Sequence, residues 1–267
     1  MWKRPKFALP WPPYLKMKTS QGILIKSAKE VDILRKAGKI LSSIIVSLQG
    51  SLTSGMSTED IDSKAEELVR QNKVRAAFKG YHGFPGVACI SVNEVVVHGI
   101  PGKRVIKDGD IVSLDMGIIY EGYYSDTAVT VGIGNVSPEI RRLLDVTQAS
   151  LFRGIEQARV GRRLSDISFA VQSFVEMHGF SVVRDFVGHG IGRQLHEDPE
   201  IPNYGRAGQG PVLAEGMVFA IEPMVNMGGH RTKTLSDGWT VVTEDGKPSA
   251  HFEHTIVITA QGPEILT

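Results

Sequence analysis

"SLDMGIIYEGYYSDTAVTV", residues 113–131, decides how the rest of this chain is read. It reads as two short strands folded about a turn, with an acid on each: Asp115 on the first and Asp126 on the second. The surrounding residues are apolar or small, so both acids sit in a pattern that otherwise belongs to an interior. Burying an unpaired carboxylate costs several kcal/mol, and such groups are normally paired, protonated or bound to metal.

Outward from this hairpin the chain repeats itself. "DGDIVSLD" (108–115) matches "EGMVFAIE" (215–222): an acid–Gly turn, an apolar strand, and a carboxylate seven positions after the first acid. "SDTAVTV" (125–131) matches "FEHTIVI" (252–258), which aligns Asp126 with Glu253. The helical segments fall into the same two blocks. Ser27–Glu30 is a capping box opening a helix that should run to about Gln49 and stop at Gly50. A second helix is expected over about 57–72, then strands over roughly 87–97 and 110–132. The pattern restarts with Ser137 as N-cap and Pro138 at the first helical position. Helices to about Ala158 and over 165–178 follow, the latter stopped by Gly179, then strands near 181–187, 216–222 and 252–259. Two halves, about 18–135 and 136–267, each run helix–helix–strands.

A duplication of this kind implies a pseudo-twofold axis that brings Asp115, Asp126, Glu222 and Glu253 towards one centre. Four converging acids repel one another and raise each other's pKa. Cations remove that penalty, and hard carboxylate oxygens suit divalent metals. Any one of these acids alone is more simply a solvent-facing strand end; four in matched register reverse that preference. His189, set between glycines in "FVGHGIGRQLH", would add a nitrogen ligand to make a mixed N/O set able to hold two ions such as Mn, Fe, Co or Zn. His98 in "VVVHGIPG" ends an apolar strand, and His196 lies seven residues beyond His189. Either alone is more often an ordinary strand-end histidine. His178 suits a helix C-terminus, and His82, His230, His251 and His254 have no decisive context.

Composition narrows the setting. The 267 residues are 42% hydrophobic and 22% charged, as in an ordinary globular protein. Lys+Arg 30 against Asp+Glu 29 leaves a net charge of +1, so no global field draws the chain to DNA or to an anionic membrane. No apolar run approaches the roughly 20 residues that span a bilayer, and "MWKRPKFALPWPPYLK" breaks any secretory signal with prolines and lysines. The one cysteine, Cys89, has no internal partner for a disulfide, and a reducing cytoplasm is expected.

Taken together, "VVVHGIPG", "SLDMG", "YYSDTAVT", "GHGIGRQLHEDP", "AIEPM" and "FEHTIVIT" resemble, in order and spacing, the type I methionine aminopeptidases. The likeness covers about residues 18–267 and leaves a basic N-terminal arm, 1–17, outside. It implies an α/β (α+β) pita-bread fold, a single catalytic domain of pseudo-twofold halves with a curved antiparallel sheet backed by helices. It implies that Asp115, Asp126, His189, Glu222 and Glu253 hold two divalent metals (Co, Mn, Fe or Zn), with Asp126 and Glu253 bridging them. His98 and His196 match the family's substrate-contacting histidines. Tyr81, Phe84, Cys89, Leu195 and Trp239 fall where the family lines its methionine pocket; Leu195 departs from the aromatic residue common there. Bacterial relatives also hold a monovalent cation on backbone carbonyls, here those of Asn93, Val95 and Ser249.

The implied activity is removal of the initiator methionine from nascent chains when the second residue is small. Hydroxide activated by the two metals would attack the methionyl carbonyl, Glu222 would shuttle a proton to the leaving amine, and His98 and His196 would assist catalysis. An Xaa-Pro aminopeptidase or prolidase shares the ligand set but usually carries an extra N-terminal domain, whereas about 26 residues precede the first helix here. A non-catalytic binding module on the same fold is the third reading, and the complete ligand set argues against it. "MKTSQGILIKSAKE" looks like a typical family start at Met17. Lys3, Arg4, Lys6, Lys16 and Lys18 would offer ribosomal RNA an electrostatic contact, although a solvated tail is the simpler reading. No membrane or specific DNA contact is expected, and the chain is expected to be a monomer.

Overall fold

The computed structural model describes Thr19 and residues 22–267. The basic arm and the alternative start at Met17 lie outside the described residues. Among the described residues four α-helices form where the caps lie: α1 Ala28–Gln49, α2 Thr58–Gln71, α3 Pro138–Gln157 and α4 Leu164–Met177. Ser27 and Ser57 close reciprocal capping boxes with Glu30 and Asp60, and the Ser137 hydroxyl accepts from Ile140 N. These caps satisfy backbone donors that the first helical turn leaves open. Gly179 takes φ +80 just past α4, as a glycine stop should. Gly50 does not: its φ of −65 keeps it helical, so α1 ends without the left-handed turn expected there.

The main sheet contains β1 Arg75–Ala76, β2 Ala88–Val92, β4 Ile111–Tyr120, β5 Tyr123–Gly132 and β7 Gly188–Gly190. It continues with β8 Glu197–Ile201, β9 Val218–Ile221, β14 Glu253–Thr259 and β15 Gly262–Ile265. Two smaller sheets flank it. In one, β3 Val95–Val97 lies on β12 Val241–Thr243, which pairs with β11 Thr232–Thr234. In the other, β10 Met224–Asn226 lies between β6 Ser181–Val182 and β13 Ser249–His251. The expected strand over 181–187 is thus a two-residue β6. His189, expected just after a strand, lies inside β7.

The order of the main sheet is β1-β4-β5-β14-β9-β7-β8, with β2 also on β4 and β15 also on β14, and every described pairing is antiparallel. The repeat is visible in that order. The β4/β5 hairpin of the first half and the β9/β14 pair of the second meet along a β5–β14 seam, with Glu253 opposite Ala128 and His254 opposite Thr127. Threonines tie the seam reciprocally: Thr127 Oγ1 donates to Glu253 O at 2.7 Å, and Thr255 Oγ1 to Asp126 O at 2.8 Å. Each bond anchors the backbone of an acid in the opposite half.

Each half buries its own core. In the first, Leu41, Ile44 and Leu48 of α1 and Ile61 of α2 meet Ile90, Leu114, Met116 and Ile118 of the sheet. In the second, Leu143 and Leu151 of α3 and Val171 of α4 meet Phe219, Ile221, Ile256 and Ile258. Val129 on β5 packs against both. Helix packing occupies one face of the sheet and leaves the other for the acids. The alternation along a strand decides which residues go where: Leu114 and Met116 point to the core and Asp115 between them to the opposite face.

Candidate metal centre

Register brings the acids together. Asp115 of β4 is opposite Ala128 of β5, and Ala128 is also opposite Glu253 of β14. Directly opposed residues share a face, so Asp115 and Glu253 flank the small Ala128 side chain in one row across three strands. Asp126 lies two residues away on β5 and therefore on the same face. His189 enters from β7, opposite Ala220, and Glu222 directly follows β9. Ligand atoms of Asp126, His189 and Glu253, all buried, lie within 4.8 Å of one another. Glu222 joins them through Oε1, 3.5 Å from His189 Nε2.

Electrostatics show what the cage lacks. Asp115 Oδ1 and Glu253 Oε1 are buried without a hydrogen-bond partner. Burial, opposed only in part by neighbouring groups, raises Asp115 to about 7. Burial also lifts Glu222 to about 8. Burial and the adjacent carboxylates push Asp126 and Glu253 well above the usual range. Among the described residues no lysine or arginine is ion-paired to any of the four. Desolvation lowers His189 to about 4, which keeps its ring neutral. Its Nδ1 is 3.0 Å from Gly190 O, so Nδ1 carries the proton and Nε2 turns a lone pair into the cage. Buried, unpaired oxygens with a neutral imidazole make a donor set that fits divalent cations.

The remaining expected residues gather beside the cage: Cys89 is opposite Asp115, and the His196 ring lies 4.4 Å from that of His189. Phe84, Cys89 and Leu195 are buried in one apolar cluster, against which Tyr81 and Trp239 pack. The Phe84 and Trp239 rings meet edge to face at 5.1 Å, and His98 stands 6.2 Å from Trp239. His98 follows β3 at φ 58, a left-handed conformation uncommon outside glycine that re-aims the side chain as the strand ends. Tyr81 Oη is 2.8 Å from His196 Nδ1, a contact that sequence spacing did not reveal. The loop carrying Leu195 and His196 is fastened from below. Glu197 accepts from the backbone N of Arg193 and Gln194 and ion-pairs with buried Lys26, while Arg193 lies 4.5 Å over the Tyr123 ring.

Two further placements matter. Asn93 and Ser249 are adjacent, since Ser249 N donates to Asn93 O at 2.9 Å, and Val95 lies two residues after Asn93, at the start of β3. His251, which had no context in sequence, is 2% exposed with Nε2 3.6 Å from Glu222 Oε2. Its spacing two residues before Glu253 was the available signal: on a strand, i and i+2 share a face.

Residues 32–260 match the model of metallopeptidase family M24. A methionine aminopeptidase of Clostridium perfringens is 56% identical over 92% of this chain and 98% of its own length. The chain belongs to the methionine aminopeptidases of metallopeptidase family M24. A crystal structure of a methionine aminopeptidase from Thermotoga maritima superposes with a TM-score of 0.90 at 47% identity, covering 92% of this chain and 99% of that one. The pita-bread fold of M24 is therefore the fold here, as the resemblance implied. A prolidase from Pyrococcus furiosus shares the architecture at 25% identity and TM-score 0.74, but this chain spans 65% of it. As a member of M24 the chain is a peptidase, a hydrolase in class, and no helix among the described residues is long and apolar enough to cross a membrane.

Proposed function

We propose that this enzyme removes N-terminal methionine from nascent polypeptides when the second residue is small, acting as a cytoplasmic monomer whose catalytic domain is residues 18–267. The observation that carries the reading is the pairing of a buried, cation-deficient carboxylate cage with an adjoining apolar cluster of Phe84, Cys89 and Leu195, against which Tyr81 and Trp239 pack and which would form the methionine slot. Asp115, Asp126, His189, Glu222 and Glu253 would hold two divalent cations, drawn from Co, Mn, Fe or Zn, with Asp126 and Glu253 serving both. Such a pair supplies Lewis acidity and a nucleophile available at neutral pH.

The chain's own groups do the rest. The slot seats an unbranched thioether side chain by apolar burial, and the rim histidines bracket the scissile amide. His196, whose Nδ1 lies 2.8 Å from Tyr81 Oη, would stabilise charge developing on the carbonyl oxygen. His98 contacts the amide, and a carboxylate oxygen of Glu222 takes a proton from the attacking water and returns it to the leaving amine. A residue after methionine must fit close to the cage walls, which favours Gly, Ala, Ser, Pro or Val. A monovalent cation at the Asn93, Val95 and Ser249 carbonyls would stiffen the loop entering β3. Contact of the basic arm with ribosomal RNA would bring the enzyme to its substrate.

A Met-Xaa-Ser peptide series with Mn(II) supplied, alongside an Ala-Pro peptide, separates this reading from an Xaa-Pro hydrolase. Methionine release should fall steeply once Xaa exceeds Val in size. Cleavage of Ala-Pro in preference to Met-Ala-Ser would overturn the assignment.

A further inference from the structure

Glu222 is flanked by two imidazoles, one on each carboxylate oxygen. His189 Nε2 faces Oε1 at 3.5 Å and His251 Nε2 faces Oε2 at 3.6 Å. The two contacts are chemically unlike. His189 has committed its proton to Gly190 O through Nδ1, so its Nε2 meets an ionised Oε1 lone pair to lone pair, an approach made favourable by a proton or a cation between them. His251 Nε2 is buried with no hydrogen-bond partner. Carrying a proton there, it faces Glu222 Oε2, about 0.4 Å beyond the upper end of ordinary hydrogen-bond distance, with the Asp115 carboxylate also within electrostatic reach.

The backbone of His251 is unusually well fixed. Thr130 Oγ1 accepts from His251 N at 2.9 Å and donates to His251 O at 2.7 Å. With that proton spent, Thr130 Oγ1 accepts from Ser113 Oγ at 2.7 Å. Ser113 belongs to β4, two residues from Asp115, and Thr130 to β5, so the ring is referenced to the strands that carry the acids of the first half. His251 pairs with Met224 in β13–β10, two residues beyond Glu222. It is thereby held against the residue it faces from both directions along the chain.

We infer that His251 is a positioning residue: its Nε2–H holds Glu222 Oε2 and so leaves Oε1 turned towards His189 and the cation site. The inference rests on the assignment of Glu222 to the cage. It uses the neutral imidazole as a donor and calls for no change in its protonation. Outer hydrogen-bond partners of ligating groups typically govern 10–100-fold in metal affinity or activity. His251→Leu, in the full chain stripped of metal, should therefore weaken Mn(II) binding by about 10–100-fold in a calorimetric titration. In Mn(II)-replete enzyme it should lower kcat on Met-Ala-Ser and leave KM unchanged, because the apolar slot is untouched. His251→Gln places an amide N–H at nearly the same reach and should recover most of both losses. Wild-type Mn(II) affinity in His251→Leu, or a His251→Gln variant as impaired as His251→Leu, would overturn the inference. Should His251→Leu fail to fold, His251→Met takes its place as the variant without a donor. Glu222→Gln separates the two levels. If it binds Mn(II) normally, the cage assignment fails; if it loses Mn(II) while His251→Leu does not, the role of His251 alone fails.

Discussion

Asp126 and Glu253 differ from the other acids of the cage in lying on the two strands of the central seam, each with its carbonyl bonded to a threonine of the opposite half. Removing either charge should empty the centre. Asp126→Asn and Glu253→Gln are expected to abolish turnover and to lower bound metal per chain, read by elemental analysis after dialysis; near-normal activity in excess Mn(II) would contradict a shared pair of ions. The rim histidines should behave otherwise. His98→Ala and His196→Ala should each lower kcat about 10²–10⁴-fold, the range for positioned proton-transfer and oxyanion groups, while metal content stays normal. Loss of metal from either would make that histidine a ligand. The four acids were legible because each sits in a short motif with a partner in the other half, and His189 because it stands between glycines. His251 was not, since its one local cue, the place two residues before Glu253, says nothing of Glu222, the residue it faces in the fold.

Elements show how closely the helices must approach the sheet. Gly38, in the middle of α1, lies so near the C-terminal segment that a Cβ there would stand 2.2 Å from Leu266 O. The main-chain oxygen has no flexible side chain to swing aside. Gly38→Ala should thus cost about 1–3 kcal/mol, the range for overpacking a tight contact, despite alanine's better helix propensity. Thermal unfolding measures it, and an unchanged or raised melting temperature would show that the segment yields freely. The helices themselves were readable from capping serines and apolar spacing to within a residue or two. Strand ends were not: β6 stops after Val182, and His189 is inside β7, because pairing partners rather than local residue preferences decide where a ladder closes.

At the scale of the molecule, the cage makes stability depend on pH and metal together. Asp115 at about 7 and Glu222 at about 8 bind protons in the folded, metal-free protein that the unfolded chain gives up near 4. The unfolded state then holds fewer protons, so the stability these groups contribute is full below about pH 4 and is lost as the pH rises through 7 and 8. Helix-start acids such as exposed Asp60 and half-buried Asp166 have lowered values and act in the opposite sense, at the acid end. Denaturant unfolding of chelator-treated protein should accordingly show a midpoint falling between about pH 5 and pH 8. Saturating Mn(II) should abolish that fall, because the cation replaces the protons. A pH-independent midpoint in the absence of metal would mean that the acids are relieved by some other route.

What the sequence determined by itself is the duplication, the helix starts, the exclusion of a membrane-spanning helix and the identity of the residues with ligand chemistry. All of these are written in local order: caps, apolar period, and an acid seven positions after another. Only the tertiary structure decided that Ala128 would stand between Asp115 and Glu253, that Tyr81 would reach His196, and that His251 would face Glu222. Those neighbours are separated by 125, 115 and 29 positions or brought together by strand register. Register follows from burying one whole face of a sheet at once, a condition on the packed molecule that no short stretch of chain can express.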